Sequence, residues 1–538
     1  MKRTTRTLLP LLSAFLLTAC AGTNTNPQET PVTEPPESVS ADTSFDAENL
    51  HFNTVPLLAI ETENQAGNVL DFVTKPVAEH VSEQIASWTP NYKIPPAPYS
   101  ERCTVTLTDK DETTQLLCAA ADVKVRGNWT TNYPKKPLRI KFDEKQSMLG
   151  LNDGNAFRNW LLLACYKDAS LLRDKTALQA ARELLGPDGL YAADAEFVEV
   201  TINGEYWGLY LLTEMQQVNP DRVDITEPEA DYAGTDIGYF LEFDGYFYNE
   251  DPLHQFHVEY ADNAPLTPYD GEGGSGKTIT CLPEKMFDRK KDVGFTIKSD
   301  IYSQQQHDFI AAYVDNVYRV MYAAAYEDTA YRISADGQKL VADPSMTPQE
   351  AVEAVVNVQS LADMYIISEL TCDADIYWSS FFMSADFGAE GDHRLTFQAP
   401  WDFDSGLGNK DRCADGKGFY AGNIVPDVDG NTYTTVNPWL AVLMYEDWYQ
   451  AIIRETWTKA YDNGVFAHAA ETLAADKSAY ADAFVRNEER WGVSTKDDSV
   501  ASELSPAAKY CKNQAVSANQ FADWLNARIE FMNEHWHA

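Results

Sequence analysis

The period of the hydrophobic pattern changes along this chain, and that change limits the folds open to it. From about residue 51 to 142 apolar side chains alternate with polar ones in "VPLLAIET", "CTVTLT", "ADVKVRGN" and "PLRIKF", with turn residues between them. Alternation of this kind predicts strands buried on one face. The last third instead spaces its apolar residues for helices, as in "PQEAVEAVVNVQSLADMYIISEL", "NPWLAVLMYEDWYQAIIRETWTKAY", "FAHAAETLAADKSAYADAFVRNEERW" and "ANQFADWLNARIEFMNEHW". Between them Asn159 to Leu185 reads as helix, stopped by Gly186. "AEFVEVTINGEYWGLYLLTE" reads as a hairpin turning at Asn203-Gly204. "IGYFLEFDGY" and "VGFTIKSD" read as strands, a helix runs from about Gln304 to Ala325, and "SSFFMSAD…HRLTFQAPWDFD" is a late hairpin. A β-rich first part and a mostly helical second part predict an α+β fold in two lobes.

The first residues carry a different signal. "MKRTTRTLLPLLSAFLLTAC" has basic residues, an apolar run and then Leu17-Thr18-Ala19-Cys20, which resembles a bacterial lipobox. Residues 1–19 are expected to be a lipoprotein signal peptide, with lipid attachment at Cys20. Residues 20–48 are rich in Thr, Pro and Glu and have little to bury, so they read as a disordered tether. Residues 49–538 form the folded domain, with a polar, Gly-rich insertion near 249–290. The expected location is the cell envelope: extracytoplasmic, lipid-anchored, and touching the membrane only through Cys20.

Charge narrows the partners. Acids number 82 against 42 bases, a net charge of −40, which argues against a nucleic-acid binder. A polyphosphate ligand would need a local basic cradle or a bridging metal. Seven of the eight cysteines follow Cys20. Cys103 and Cys118 flank a strand–turn–strand pattern and are expected to pair, for about 3 kcal/mol. No Cys/His spacing suggests zinc.

Three stretches carry chemistry. "VKVRGNWTTNYPKKPLRIKF" holds six bases between Lys124 and Lys141 around a turn at Gly127-Asn128. Outward backbone N–H groups followed by strand cations can grip phosphate, although a solvated hairpin has the same composition. "ELTCDADIYWSSFF" puts Asp373 and Asp375 between a helix and a strand, where a carboxylate can take a proton from a hydroxyl or simply make a turn. "APWDFDSGLGN" sets Asp402 and Asp404 two apart, on one face if the strand persists. Two such carboxylates repel unless a cation lies between them, and hard oxygens suit Mg²⁺ or Mn²⁺, with Ca²⁺ also possible.

Taken in order, the blocks "RGNWTTNYPKKPLRIKF", "NWLLLACYKDASLLRDKTAL", "VEVTINGEYWGLYLLTE", "ELTCDADIYWSSFF" and "PWDFDSGLGN" resemble the CotH-type proteins, an atypical secreted kinase group related to spore-coat protein H. The resemblance implies a fold similar to a protein kinase and ATP-dependent phosphorylation of Ser/Thr hydroxyls on envelope or cell-surface proteins. It implies that Arg126, Gly127 and Asn128 cover the phosphates and that Lys141 contacts them. Glu214, or else Asp168, would be the carboxylate partner of Lys141, with Arg173 completing the network. Asp375 would be the catalytic base, Asp402 a metal ligand and Asp404 a second. Where kinases carry a metal-binding Asn five residues after the base, this chain has Ser380. That departure leaves a competing reading, a kinase-like surface interaction lipoprotein without turnover. A glycosidase using paired carboxylates is a third, but it leaves the basic cluster unexplained.

Overall fold

The computed structural model describes residues 55–258, 260–261, 264–271, 293–410, 414–424 and 436–538. Cys20, the signal segment, the tether and much of the 249–290 insertion lie outside them. One compact unit spans Leu50–Ala538, and it mixes helices and strands, as an α+β fold does.

Seven strands close into a barrel: β1 (Leu57–Thr62), β2 (Glu101–Thr108), β3 (Thr114–Val125), β4 (Leu138–Gln146), β5 (Phe157–Leu163), β6 (Ala195–Ile202) and β7 (Glu205–Glu214), in the order β1-β2-β3-β4-β5-β7-β6. All neighbours are antiparallel except β1 and β6, whose parallel pairing closes the ring. The period-two pattern supplies the interior. Val123 and Val125 of β3, Leu138 and Ile140 of β4, and Trp160 and Leu162 of β5 are fully buried in one apolar cluster. Residues of opposite parity, such as Lys124, Arg139 and Leu161, therefore face outward. The β6–β7 hairpin turns at Asn203-Gly204, both at positive φ, as that dipeptide predicts.

A second sheet lies outside the barrel. It comprises β8 (Gly238–Asp244), β9 (Gln255–Phe256), β10 (Gly294–Ile297), β13 (Phe381–Asp386) and β14 (Thr396–Phe397), ordered β14-β13-β8-β10-β9. A small ribbon, β11 (Tyr331–Ile333) with β12 (Leu340–Ala342), stands apart. The long helices Gln304–Glu327, Val358–Thr371 and Gln514–Trp536 join this sheet in the larger apolar core. Among the described residues no helix is long and apolar enough to cross a membrane.

Two expectations are corrected. Residues 159–185 are not one helix: β5 ends at Leu163 and the helix is Arg173–Leu185. The run Trp160–Leu163 is apolar on both faces because β5 lies between the barrel core and the larger core, which hides its period. Cys103 and Cys118 are both free thiols. Cys103 is buried opposite Ala121, three residues from Cys118, and Cys118 is exposed. They face opposite sides of the barrel wall and do not pair. Cys165 and Cys511 are also free thiols, and Cys281 and Cys413 lie outside the described residues.

Candidate active site

Asp375, Asp402 and Asp404 come together although the second lies 27 positions after the first. Carboxylate oxygens of the three lie within 4.8 Å of one another. Asp375 follows the helix Val358–Thr371, which ends on Cys372 in the left-handed conformation, as the sequence suggested for a helix–strand junction. Asp402 and Asp404 converge for a reason other than strand alternation. The strand has ended, Asp402 itself adopts a positive φ of 70°, and one 3₁₀ turn, Phe403–Ser405, carries Asp404 back beside it. A non-glycine residue held in that region stores strain that the surroundings must sustain. The buried Asp174 carboxylate does part of this, accepting a 3.1 Å bond from the Phe403 N–H. Asn409 ties the Asp404 carbonyl at 2.7 Å.

The electrostatics follow from this crowding. Burial, then Asp404 and Asp375, push the Asp402 carboxyl up to about 7, against the pull of Lys167 and Arg126. Burial raises Asp404 as well, with Lys167 opposing. Asp373, whose carboxylate accepts from the Asp375 N–H at 2.9 Å, is driven well above the usual carboxylate range by burial and by Asp375. Such a cluster gains from any cation placed among it.

These acids line a cavity of about 870 Å³ that also contains Arg126, Gly127 and Asn128. Gly127 sits at φ +96°, and a Cβ there would meet Thr130 Oγ1 at 2.5 Å, so the turn requires glycine. Among the described residues Arg126 forms no salt bridge. Burial lowers its affinity for a proton, while Asp402 and Glu242 raise it. Lys167, which the sequence reading passed over, is ion-paired with the acidic cluster. Its Nζ lies 3.5 Å from Asp404 Oδ1 and 3.7 Å from Glu503 Oε2, and it donates to Ser405 Oγ. Burial works against this charge, yet Asp404, Tyr133, Asp375 and Glu503 together hold its pKa above that of an ordinary lysine. Lys298 also lines the cavity and pairs with Glu242 at 2.9 Å.

Four expected participants stand elsewhere. Lys141 shares the outer face of β4 with Arg139, but it lies one pleat farther along, is exposed, and does not line the cavity. Glu214 has the parity of Leu212 and turns toward the barrel side. It is held by Arg222 at 3.0 Å, Asn152 at 2.6 Å and the Asp194 N–H at 2.9 Å, so it is no partner of a phosphate-binding lysine. Asp168 and Arg173 are fully buried against each other. Neither lines the cavity, but Arg173 Nε donates to the Leu407 carbonyl at 3.1 Å. This pair therefore braces the chain just after Asp404.

A family model described as CotH kinase protein matches residues 123–532. The chain belongs to the CotH kinase family. The CotH match begins on β3, just before the Arg126 turn, and ends in the last helix. It thus takes in Lys167, Asp375, Asp402 and Asp404 and leaves β1 and β2 outside. A search of curated proteins returned no match.

Proposed function

We propose that this CotH kinase is a metal-dependent phosphotransferase that moves the γ-phosphate of ATP to Ser or Thr hydroxyls of extracytoplasmic proteins. The observation that carries the reading is the meeting, in one cavity, of three clustered carboxylates with the Arg126–Asn128 turn and Lys167. The cluster fits Mg²⁺ or Mn²⁺: three hard oxygen donors lie close enough to share one ion. When bound, that ion neutralises phosphate charge and orients the terminal phosphate.

The chain's own residues do the rest. The Arg126 guanidinium and the N–H groups of the Gly127 turn face the phosphates. Lys298, with Glu242 as its carboxylate, takes the part of the kinase lysine–carboxylate pair that Lys141 and Glu214 were expected to form. Asp375 orients the acceptor hydroxyl and takes its proton as the hydroxyl oxygen bonds to the γ-phosphorus. The bond to the β–γ bridging oxygen then breaks and ADP leaves. The barrel serves as the N-terminal lobe of a kinase-like pair of lobes, and the helical remainder as the other. Lipid on Cys20 would hold the enzyme at the envelope, facing its protein substrates.

Ser380 favours one alternative. Its Oγ is 3.4 Å from Asp402 Oδ2, a weaker donor than the kinase Asn, and this suits a scaffold without turnover. Thermal shift with ATP and Mg²⁺ or Mn²⁺ tests nucleotide binding: the wild type rises and Asp402→Ala does not. Phosphate transfer to the chain itself or to casein, lost in Asp375→Ala, establishes the enzyme. Binding without transfer removes turnover but keeps the nucleotide site, and no binding removes the phosphotransferase and favours the interaction scaffold.

A further inference from the structure

Tyr133 closes the turn that follows Asn128 and is 2 % exposed. Its ring packs 5.7 Å from that of Tyr166 in the barrel cluster. The two hydroxyls differ: Tyr166 donates to Asp497 Oδ2 at 3.1 Å, whereas the Tyr133 hydroxyl is buried with no hydrogen-bond partner. A buried hydroxyl without a partner destabilises the fold; Tyr191 and Tyr449 carry one as well, but of these three only Tyr133 lines the cavity of the acidic cluster.

Its surroundings suggest what it meets. Tyr133 lines the same cavity, and its hydroxyl lies in the field of Lys167, Glu503, Asp404 and Asp375. Burial is the largest influence and holds the phenol protonated, so toward an anion the hydroxyl can only donate. The Lys167 ammonium is a second donor at the same wall. Two donors beside the proposed base and the proposed metal ligands fit the oxygen of the group being transferred, rather than the phosphates nearer the nucleoside.

We propose that the Tyr133 hydroxyl donates a hydrogen bond to a terminal-phosphate oxygen of a bound nucleoside triphosphate, and that the site thereby distinguishes triphosphate from diphosphate. The inference rests on the phosphotransferase reading above. Tyr133→Phe removes only the hydroxyl and leaves the ring packing in place.

Calorimetric titration of the full chain with AMP-PNP and with ADP, each with Mg²⁺, tests it. The expected result is about tenfold weaker binding of AMP-PNP to the variant, unchanged binding of ADP, and an unliganded melting temperature no lower than wild type. Equal affinities for both nucleotides in variant and wild type overturn the inference while leaving the nucleotide site standing. Equal losses for both also overturn it, since the hydroxyl would then not read the third phosphate. If the wild type binds neither nucleotide, the phosphotransferase reading fails first and the inference falls with it.

Discussion

Lys167 Nζ stands 3.5 Å from Asp404 Oδ1, and neither side chain is more than a tenth exposed. The pair joins the segment between β5 and the helix Arg173–Leu185 to the turn that carries the acidic cluster. It also supplies positive charge to a group of carboxylates with more negative charge than their surroundings balance. Removing one member of a buried pair leaves the other uncompensated. Lys167→Met is therefore expected to lower the stability of the unliganded protein by about 3 kcal/mol. Because a divalent ion replaces part of the missing charge, Mg²⁺ should raise the melting temperature of the variant more than that of wild type. Equal Mg²⁺ responses in chemical and thermal melts would show that the lysine and the ion act at separate places.

Gly127 gives a prediction about the turn. Its φ of +96° and the 2.5 Å approach of Thr130 Oγ1 to a built Cβ are separate penalties. Gly127→Ala should cost on the order of 1–3 kcal/mol and weaken ATP binding. Adding Thr130→Ala relieves the contact but not the backbone strain, so the double variant should recover only part of the loss. Full recovery in urea melts would mean that the conformation itself carries no strain.

How far the sequence revealed this site depends on the range of the signal. The Arg126–Asn128 turn and the Asp402/Asp404 pair stood out as short motifs, the first equally readable as a solvated hairpin, and only the fold shows that they meet in one cavity. The junction between a helix and a strand pointed to Asp373 and Asp375 alike, and only the family resemblance chose Asp375. Lys167 was hidden by the apolar run before it, which read as helix and gave the lysine no particular direction. Lys141 failed differently: its face was right, but the cavity ends one pleat earlier, and only the register of β4 on β5 shows that. Glu214 faces the barrel side because β7 continues the alternation of Leu212. Barrel closure depends on the pairing of β1 with β6 across more than a hundred residues, which no local pattern specifies. Nor could spacing alone show that Cys103 and Cys118 lie on opposite sides of one wall.

That last placement is open to chemistry. Cys118 is exposed and Cys103 is buried, with its thiol raised to about 12 by burial first and Asp122 second. Iodoacetamide on the native protein should modify Cys118 rapidly and spare Cys103 until denaturant is added. Peptide mapping that finds the two linked in unreduced protein would contradict the barrel register between β2 and β3.

Lys135 predicts a pH dependence of stability. Burial pulls its ammonium down to about 7, although it donates to the Ala164 carbonyl at 2.9 Å and to Leu209 and lies 4.4 Å from the Tyr210 ring centre. In the unfolded chain the group titrates near 10.5. Between about 7 and 10.5 the unfolded state thus binds the extra proton, and stability rises with pH across that window. Below it both states are protonated and the penalty is constant. Lys135→Met should flatten the rise by about 3–5 kcal/mol over the window. Lys136, pulled down only to about 8, should give a smaller change that begins later. Denaturant melts from pH 6 to 10 check both, and a slope unchanged in Lys135→Met would show that the lysine is neutralised by a partner rather than by burial.

Ser380 offers the closing test of the acidic site. It is buried at the cavity wall with φ +59°, its N–H donating to Glu242 Oε1 at 3.2 Å and its Oγ 3.4 Å from Asp402 Oδ2. Asparagine adopts that backbone region more readily than serine, and its side chain can extend into the cavity. Its amide oxygen is also a better ligand for a hard cation than the serine hydroxyl. Ser380→Asn is accordingly expected to fold as well as wild type and to bind Mn²⁺ several-fold more tightly by calorimetry. If phosphotransfer is limited by the ion, the rate at subsaturating Mn²⁺ should rise in step, and the two should converge at saturation. Unchanged Mn²⁺ affinity in a stably folded variant would place Ser380 outside the ligand sphere and leave Asp375, Asp402 and Asp404 to hold the ion alone.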